Sequence, residues 1–95
     1  DAMLSVPGVD VAFMGPNDLA LSLGASGSES PEVEQATQKV LEAAIRHGLA
    51  CGTHVRNVEA LKMWKARGMR LLTCYSDVNF LIMAAKETLT AIRAG

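Results

Sequence analysis

Ninety-five residues make one small domain with a core of modest size. With 49% hydrophobic residues, only 20% charged and a mean hydropathy of +0.20, the chain is oily for that size, which predicts that further chain or partner subunits cover part of its apolar surface. Nine basic and ten acidic residues, scattered and netting −1, leave no nucleic-acid or anionic-membrane footprint, and no run reaches the eighteen or so apolar residues of a membrane span or reads as a signal leader.

In chain order, "DAMLSVPG" (1–8) reads as the tail of an earlier element. "GVDVAFMG" (8–15), bounded by glycines and rich in Val and Phe, predicts a short buried strand. "DLALSLG" (18–24) predicts a short helix after it. "SPEVEQATQKVLEAAIRHG" (30–48) predicts a longer one, with Ser30 as N-cap, Pro31 in its first turn and Arg46, His47 and Gly48 closing it. Its residues Val33, Ala36, Val40 and Ala44 fall three and four apart, as one buried stripe.

"LACGTHV" (49–55) is the second strand, "NVEALKMWKARG" (57–68) a helix capped by Asn57, and "MRLLTCYS" (69–76) the third strand. "DVNFLIMAAKETLTAIRAG" (77–95) is the last helix, capped by Ser76 or Asp77. Val78 to Ala85 leave it almost no polar side over two turns, the mark of a helix covered on more than one side. Cys51 and Cys74, both in strand-like runs, read as free buried thiols of a cytoplasmic protein rather than as a disulfide.

Strand–helix alternation builds a parallel α/β sheet with right-handed crossovers and helices on one face. The other face of three apolar strands must then be covered, as it is when the sheet closes into a barrel. A barrel of eight βα units runs to about 250 residues, so three units need roughly 94. The expectation is that residues 1–95 are a single partial domain, the C-terminal three βα units of a TIM (β/α)8 barrel.

Ligands of such folds bind where strands end and helices begin. After the first strand, Gly15 and Pro16 turn the chain, and Asn17 and Asp18 start the short helix. Free N–H groups there suit a carboxylate, and the Asp18 carboxylate suits a hard cation such as Mg2+ or Mn2+. A 2-keto acid, with adjacent acceptor oxygens, would bridge the two. The alternative is that Asn17 or Asp18 only caps the helix.

After the second strand, Thr53 and His54 offer a base or ligand position with no partner beyond Glu59, and half of a zinc motif without its other half, so a pocket-wall role is expected of His54. After the third strand come Tyr75, Ser76 and Asp77, of which the serine and the aspartate read as caps. Trp64 and the five methionines read as core filling, and Lys62, Lys65, Arg67 and Arg70 as solvent-facing.

"VPGVDVAFMGPNDLALSLG", the "PEV" helix, the "G-x-H-V" strand and a last strand ending in "SD" resemble the HpcH/HpaI aldolase family over essentially the whole chain. The most specific part is Gly15-Pro16-Asn17-Asp18-Leu19. The resemblance implies a (β/α)8 barrel in which a divalent metal, Mg2+ or Mn2+, chelates the pyruvate unit of a 2-keto acid and stabilises its enolate during carbon–carbon bond cleavage or formation. It implies that Asp18 is a metal ligand and that amides of Gly15 and of Asn17 or Asp18 bind the pyruvate carboxylate. It also implies a homo-oligomer whose subunits exchange the last helix.

The family's second metal-ligand glutamate, its arginine and its acid/base histidine come from earlier strands. None matches a position in these residues, so no catalytic residue is assigned, and the chain by itself is expected not to be a competent aldolase. Two other readings stay open: a non-catalytic half-barrel assembly unit in which Asp18 is only a helix cap, and a lyase of coenzyme A thioesters.

Overall fold

The computed structural model describes residues 1–95. Its elements are β1 (Val11–Met14), α1 (Pro16–Leu23), α2 (Pro31–Arg46), β2 (Ala50–Val55), α3 (Val58–Arg67), β3 (Leu71–Cys74) and α4 (Asp77–Ala94), in the expected order. The strands form one parallel sheet ordered β1-β2-β3, with Ala12 opposite Cys51 and Val55 opposite Cys74.

Because side chains alternate along a strand, this register sorts them onto two faces. Ala12, Cys51, Val55, Leu72 and Cys74 join the core, which Leu41 and Ala44 of α2, Trp64 of α3 and Met69 complete. Leu41, 1% exposed, is the largest of the fully buried side chains; its burial contributes about 2 kcal/mol. On the other face Phe13, Gly52 and Leu71 share one rung, and Phe13 and Leu71 remain 46% and 44% exposed. The bare second face expected from one-sided crossovers is present.

Gly52 has a positional reason. A methyl group there would run into the backbone carbonyl of Leu71, so glycine is what lets β3 lie beside β2 at this rung.

Several local expectations are corrected. The β1 ladder starts at Val11 rather than residue 8, where the pairing with Ala50 begins. The last strand stops at Cys74, because Tyr75 turns the chain into the left-handed region at φ 62°. The buried seam of α2 is Val33, Thr37, Leu41, Ala43 and Ala44, with Ala36 and Val40 only half-buried. Thr37 is tolerated there because its hydroxyl donates to the Val33 carbonyl at 2.8 Å. Ser30 stands at the N-cap of α2, yet its hydroxyl makes no capping bond.

Of the methionines, Met69 is buried, whereas Met3 and Met83 are 81% and 46% exposed and fill no core. Trp64 is buried, and Lys62, Lys65, Arg67 and Arg70 are exposed. Arg67 bonds Glu34 at 2.8 Å and lies 4.8 Å from the Trp64 ring centre. Both cysteines are free. By the strand register, Cys51 and Cys74 stand four rungs apart, about 13 Å along the sheet, beyond disulfide reach.

No residue of α4 is buried. Leu81 is 72% exposed and Ile92 67%. The helix lengthens the molecule to 57 × 27 × 21 Å, with a radius of gyration of 16.5 Å, against about 12 Å for a compact chain of this length. No helix is long and apolar enough to cross a membrane.

Candidate functional site

The turn after β1 is built by neighbours on both sides. Thr53, buried at the centre of the sheet, donates its hydroxyl to the Met14 carbonyl at 3.0 Å. That bond holds the last carbonyl of β1 and so the departure of the chain. Gly15 follows in an extended conformation, φ −94° and ψ 104°, and is the N-cap of α1; Pro16 takes the first helical position, where its missing N–H costs nothing.

This corrects the expected helix start by two residues and with it the capping alternative. Neither Asn17 nor Asp18 is the cap, and the cap makes no side-chain hydrogen bond. The first helical bond runs from the Leu19 amide to the Gly15 carbonyl at 2.9 Å, so the amides of Asn17 and Asp18 precede any intrahelical partner.

Asp18 lies in the first turn of α1 and is exposed. Helical side chains lean toward the N-terminus, and its Oδ2 reaches back over Gly15, 3.1 Å from where a Cβ on that glycine would stand. The carboxylate thus stands at the strand end, outside apolar packing. Gly15, Asn17 and Asp18 come together at one turn, as expected.

Two further groups join this end of the sheet. Arg56, in the β2–α3 loop, donates Nη2 to Asn17 Oδ1 at 3.3 Å. His54 sits 2.7 Å from the Thr73 hydroxyl through Nδ1; the two are opposite each other in the ladder. No carboxylate partners His54, and Glu59 is not among its hydrogen bonds. Tyr75 adopts φ 62°, a conformation that costs an aromatic residue about 1–2 kcal/mol, and its ring meets Phe80 edge-on at 5.3 Å.

Ser76 caps α4 by accepting from the Asn79 amide at 3.2 Å, as read from sequence, and Asp77 accepts from Val78. Arg56 was missed in the sequence because nothing in "VRNVE" marks a contact with a residue 39 positions earlier. Its only local signal was a place immediately after a strand.

Burial raises the Cys51 thiol above its ordinary 9.0, partly offset by a backbone hydrogen bond from Gly52. It is therefore an unreactive core thiol. No group of three or more His, Cys, Asp or Glu side chains is gathered to hold a metal. Asp18 fits the chemistry of a single oxygen ligand to a hard cation, and it belongs to no cluster of three such side chains.

The model of the family described as HpcH/HpaI aldolase/citrate lyase matches residues 1–89. A hydroxypyruvate/pyruvate aldolase of Paraburkholderia phytofirmans is 33% identical over 95 residues, covering 99% of this chain and 36% of the relative. A 5-keto-4-deoxy-D-glucarate aldolase of Salmonella paratyphi C is 45% identical over 53 residues, 55% of this chain and 21% of the relative. Among solved structures, an HpcH/HpaI aldolase/citrate lyase family protein from Burkholderia cenocepacia superposes with a TM-score of 0.90 at 37% identity, over 96% of this chain and 36% of that one.

The chain thus spans about a third of the length of the first two of these proteins that it covers end to end. Its three parallel βα units are part of a (β/α)8 barrel of that kind. The 89 residues matched by the family model, with the whole strand–helix order behind them, show that the chain belongs to the HpcH/HpaI aldolase/citrate lyase family.

Proposed function

We propose that residues 15–18 are the metal- and keto-acid-binding turn of a metal-dependent 2-keto acid aldolase, within one partial (β/α)8 domain spanning residues 1–95. Asp18 supplies one oxygen ligand to a divalent cation, Mg2+ or Mn2+. The amides of Gly15 and of Asn17 or Asp18 receive the carboxylate of the keto acid. The bound cation supplies Lewis-acid chemistry, withdrawing charge from the keto oxygen so that the neighbouring C–H becomes acidic.

One observation carries this reading: α1 is capped by Gly15, which frees Asp18 from capping and leaves its carboxylate leaning over the strand end beside unpaired amides. The aldolase relatives, one named for pyruvate, support the substrate class. Other strands of the barrel supply, in this reading, the remaining cation ligands and the proton-transferring groups. In this reading the protein is a cytoplasmic homo-oligomer whose subunits exchange α4, supported by the complete exposure of that helix.

Mn2+ added together with pyruvate is expected to broaden the NMR signals around Asp18 and to raise stability by about 1.4 kcal/mol at ten times the dissociation constant. Asp18→Asn, which keeps the shape and removes the charge, loses both effects. Identical responses from the two proteins would leave a non-catalytic assembly unit as the better reading.

A further inference from the structure

Thr53 sits on the core face of β2 between Cys51 and Val55 and is 2% exposed. A buried strand position of that kind suits valine, which has nearly the same shape and no polar atom to satisfy. The hydroxyl is there nevertheless, and it donates to the Met14 carbonyl at 3.0 Å. No other side chain of the sheet bonds the backbone of a neighbouring strand, since His54 and Thr73 join through their side chains only.

The carbonyl of Met14 and the N–H of Gly15 belong to one planar trans peptide unit, in which they point in opposite directions. Whatever fixes that carbonyl therefore fixes the N–H. The Gly15 N–H has no hydrogen-bond partner within the chain. A hydrogen bond accepted by the carbonyl also polarises the amide across the same unit and makes it a stronger donor. Asp18 is tied differently, through the first helical bond of α1 from Leu19 to the Gly15 carbonyl.

We propose that Thr53 is a positioning residue, whose hydroxyl aims the Gly15 N–H at the carboxylate of the keto acid. The proposal deepens the aldolase reading above and rests on it. Thr53 touches neither the keto acid nor the cation and acts only through the Met14–Gly15 peptide. Keto-acid binding then depends on the hydroxyl, whereas cation binding by Asp18, which hangs on α1, does not.

The test compares the isotope-labelled parent with three variants. Thr53→Val keeps the shape and removes the donor. Thr53→Ser keeps the donor and removes a methyl group. Thr37→Val removes another buried hydroxyl, one bonded to the Val33 carbonyl within α2. Pyruvate is titrated at saturating Mn2+, Mn2+ is titrated alone, and the direction of the Gly15 N–H is read from residual dipolar couplings without either. Thr53→Val is expected to turn the Gly15 N–H and to weaken pyruvate binding about tenfold, the worth of one hydrogen bond, with the Mn2+ affinity unchanged. Thr53→Ser recovers pyruvate binding even though the lost methyl group lowers its stability, and Thr37→Val matches the parent in both affinities. Each variant is checked for the dispersed spectrum of the parent; should valine not be tolerated, Thr53→Ala removes the same donor without crowding and is read in the same way.

An unmoved Gly15 N–H, an undiminished pyruvate affinity, an equal weakening of Mn2+ alone, an equal loss in Thr37→Val, or a Thr53→Ser no better than Thr53→Val would each overturn the proposal. Failure of the aldolase reading shows in the parent itself, as absent Mn2+ broadening around Asp18, and the dipolar couplings then still decide whether Thr53 sets the Gly15 amide.

Discussion

The side chain that decides how closely β2 and β3 lie is only a hydrogen. Gly52 faces the Leu71 backbone with no room for a methyl group. Gly52→Ala is expected to cost about 3 kcal/mol, at the upper end for overpacking, and to lower Tm by about 15 °C in a chain of this size. Calorimetry or a thermal melt by circular dichroism measures this directly. On the opposite face of the same strand, Cys51 is held as a thiol by burial, which lifts its pKa above 9.0. The unfolded chain ionises first as pH rises past that value, so the stability owed to this group is complete below pH 9 and declines above it. The midpoint of urea unfolding should fall between pH 8 and pH 10 by more in the parent than in Cys51→Ala.

At this scale the sequence exposed the residues but not their partners. Gly15, Asn17 and Asp18 could be picked out because a glycine-proline turn behind an apolar run is a local pattern. The pair Arg56–Asn17 and the bond from Thr53 to Met14 each join residues 39 apart, and no local pattern carries that information.

Elements differ in how firmly their ends are tied. Asn57 caps α3 by accepting from the Ala60 amide at 2.8 Å, whereas Ser30 stands at the start of α2 with a buried hydroxyl that bonds nothing. Asn57→Ala is therefore expected to cost about 1 kcal/mol, and Ser30→Ala clearly less, as read from paired denaturant titrations. The order of strands and helices was legible throughout, because glycine, proline and capping residues punctuate it and the apolar period changes at each mark. Boundaries were less so. Pro16 and Gly15 together moved the start of α1 two residues upstream, and that small shift is what separates a capping aspartate from a presented one. The α2 seam was misread for a different reason: a threonine can be buried once its hydroxyl returns to the helix backbone.

For the whole molecule the dominant fact is the apolar surface left over. An oily composition in a small chain predicted covering, and the structure locates what needs to be covered, on one sheet face and around α4. Leu81, 72% exposed near the start of that helix, provides the check. Leu81→Lys should leave the far-ultraviolet circular dichroism unchanged while converting an associated species into a monomer in sedimentation velocity, if α4 packs between subunits. An α4 that merely projects into solvent would give one sedimentation coefficient for both proteins. That helix and the bare face could be anticipated from hydropathy and crossover handedness, while their extent could not, because exposure is a property of the folded surface.

The sheet has only three members, and just the middle one is paired along both sides. Its two borders, β1 and β3, each present a row of backbone donors and acceptors with nothing opposite, and β1 faces one way while β3 faces the other. Copies meeting border to border in that sense would add head to tail, and such a series closes into a ring only at the right angle and otherwise grows as an open rod. In a closed (β/α)8 sheet no such border exists, so the two unpaired rows mark the seams at which strands on either side complete the barrel.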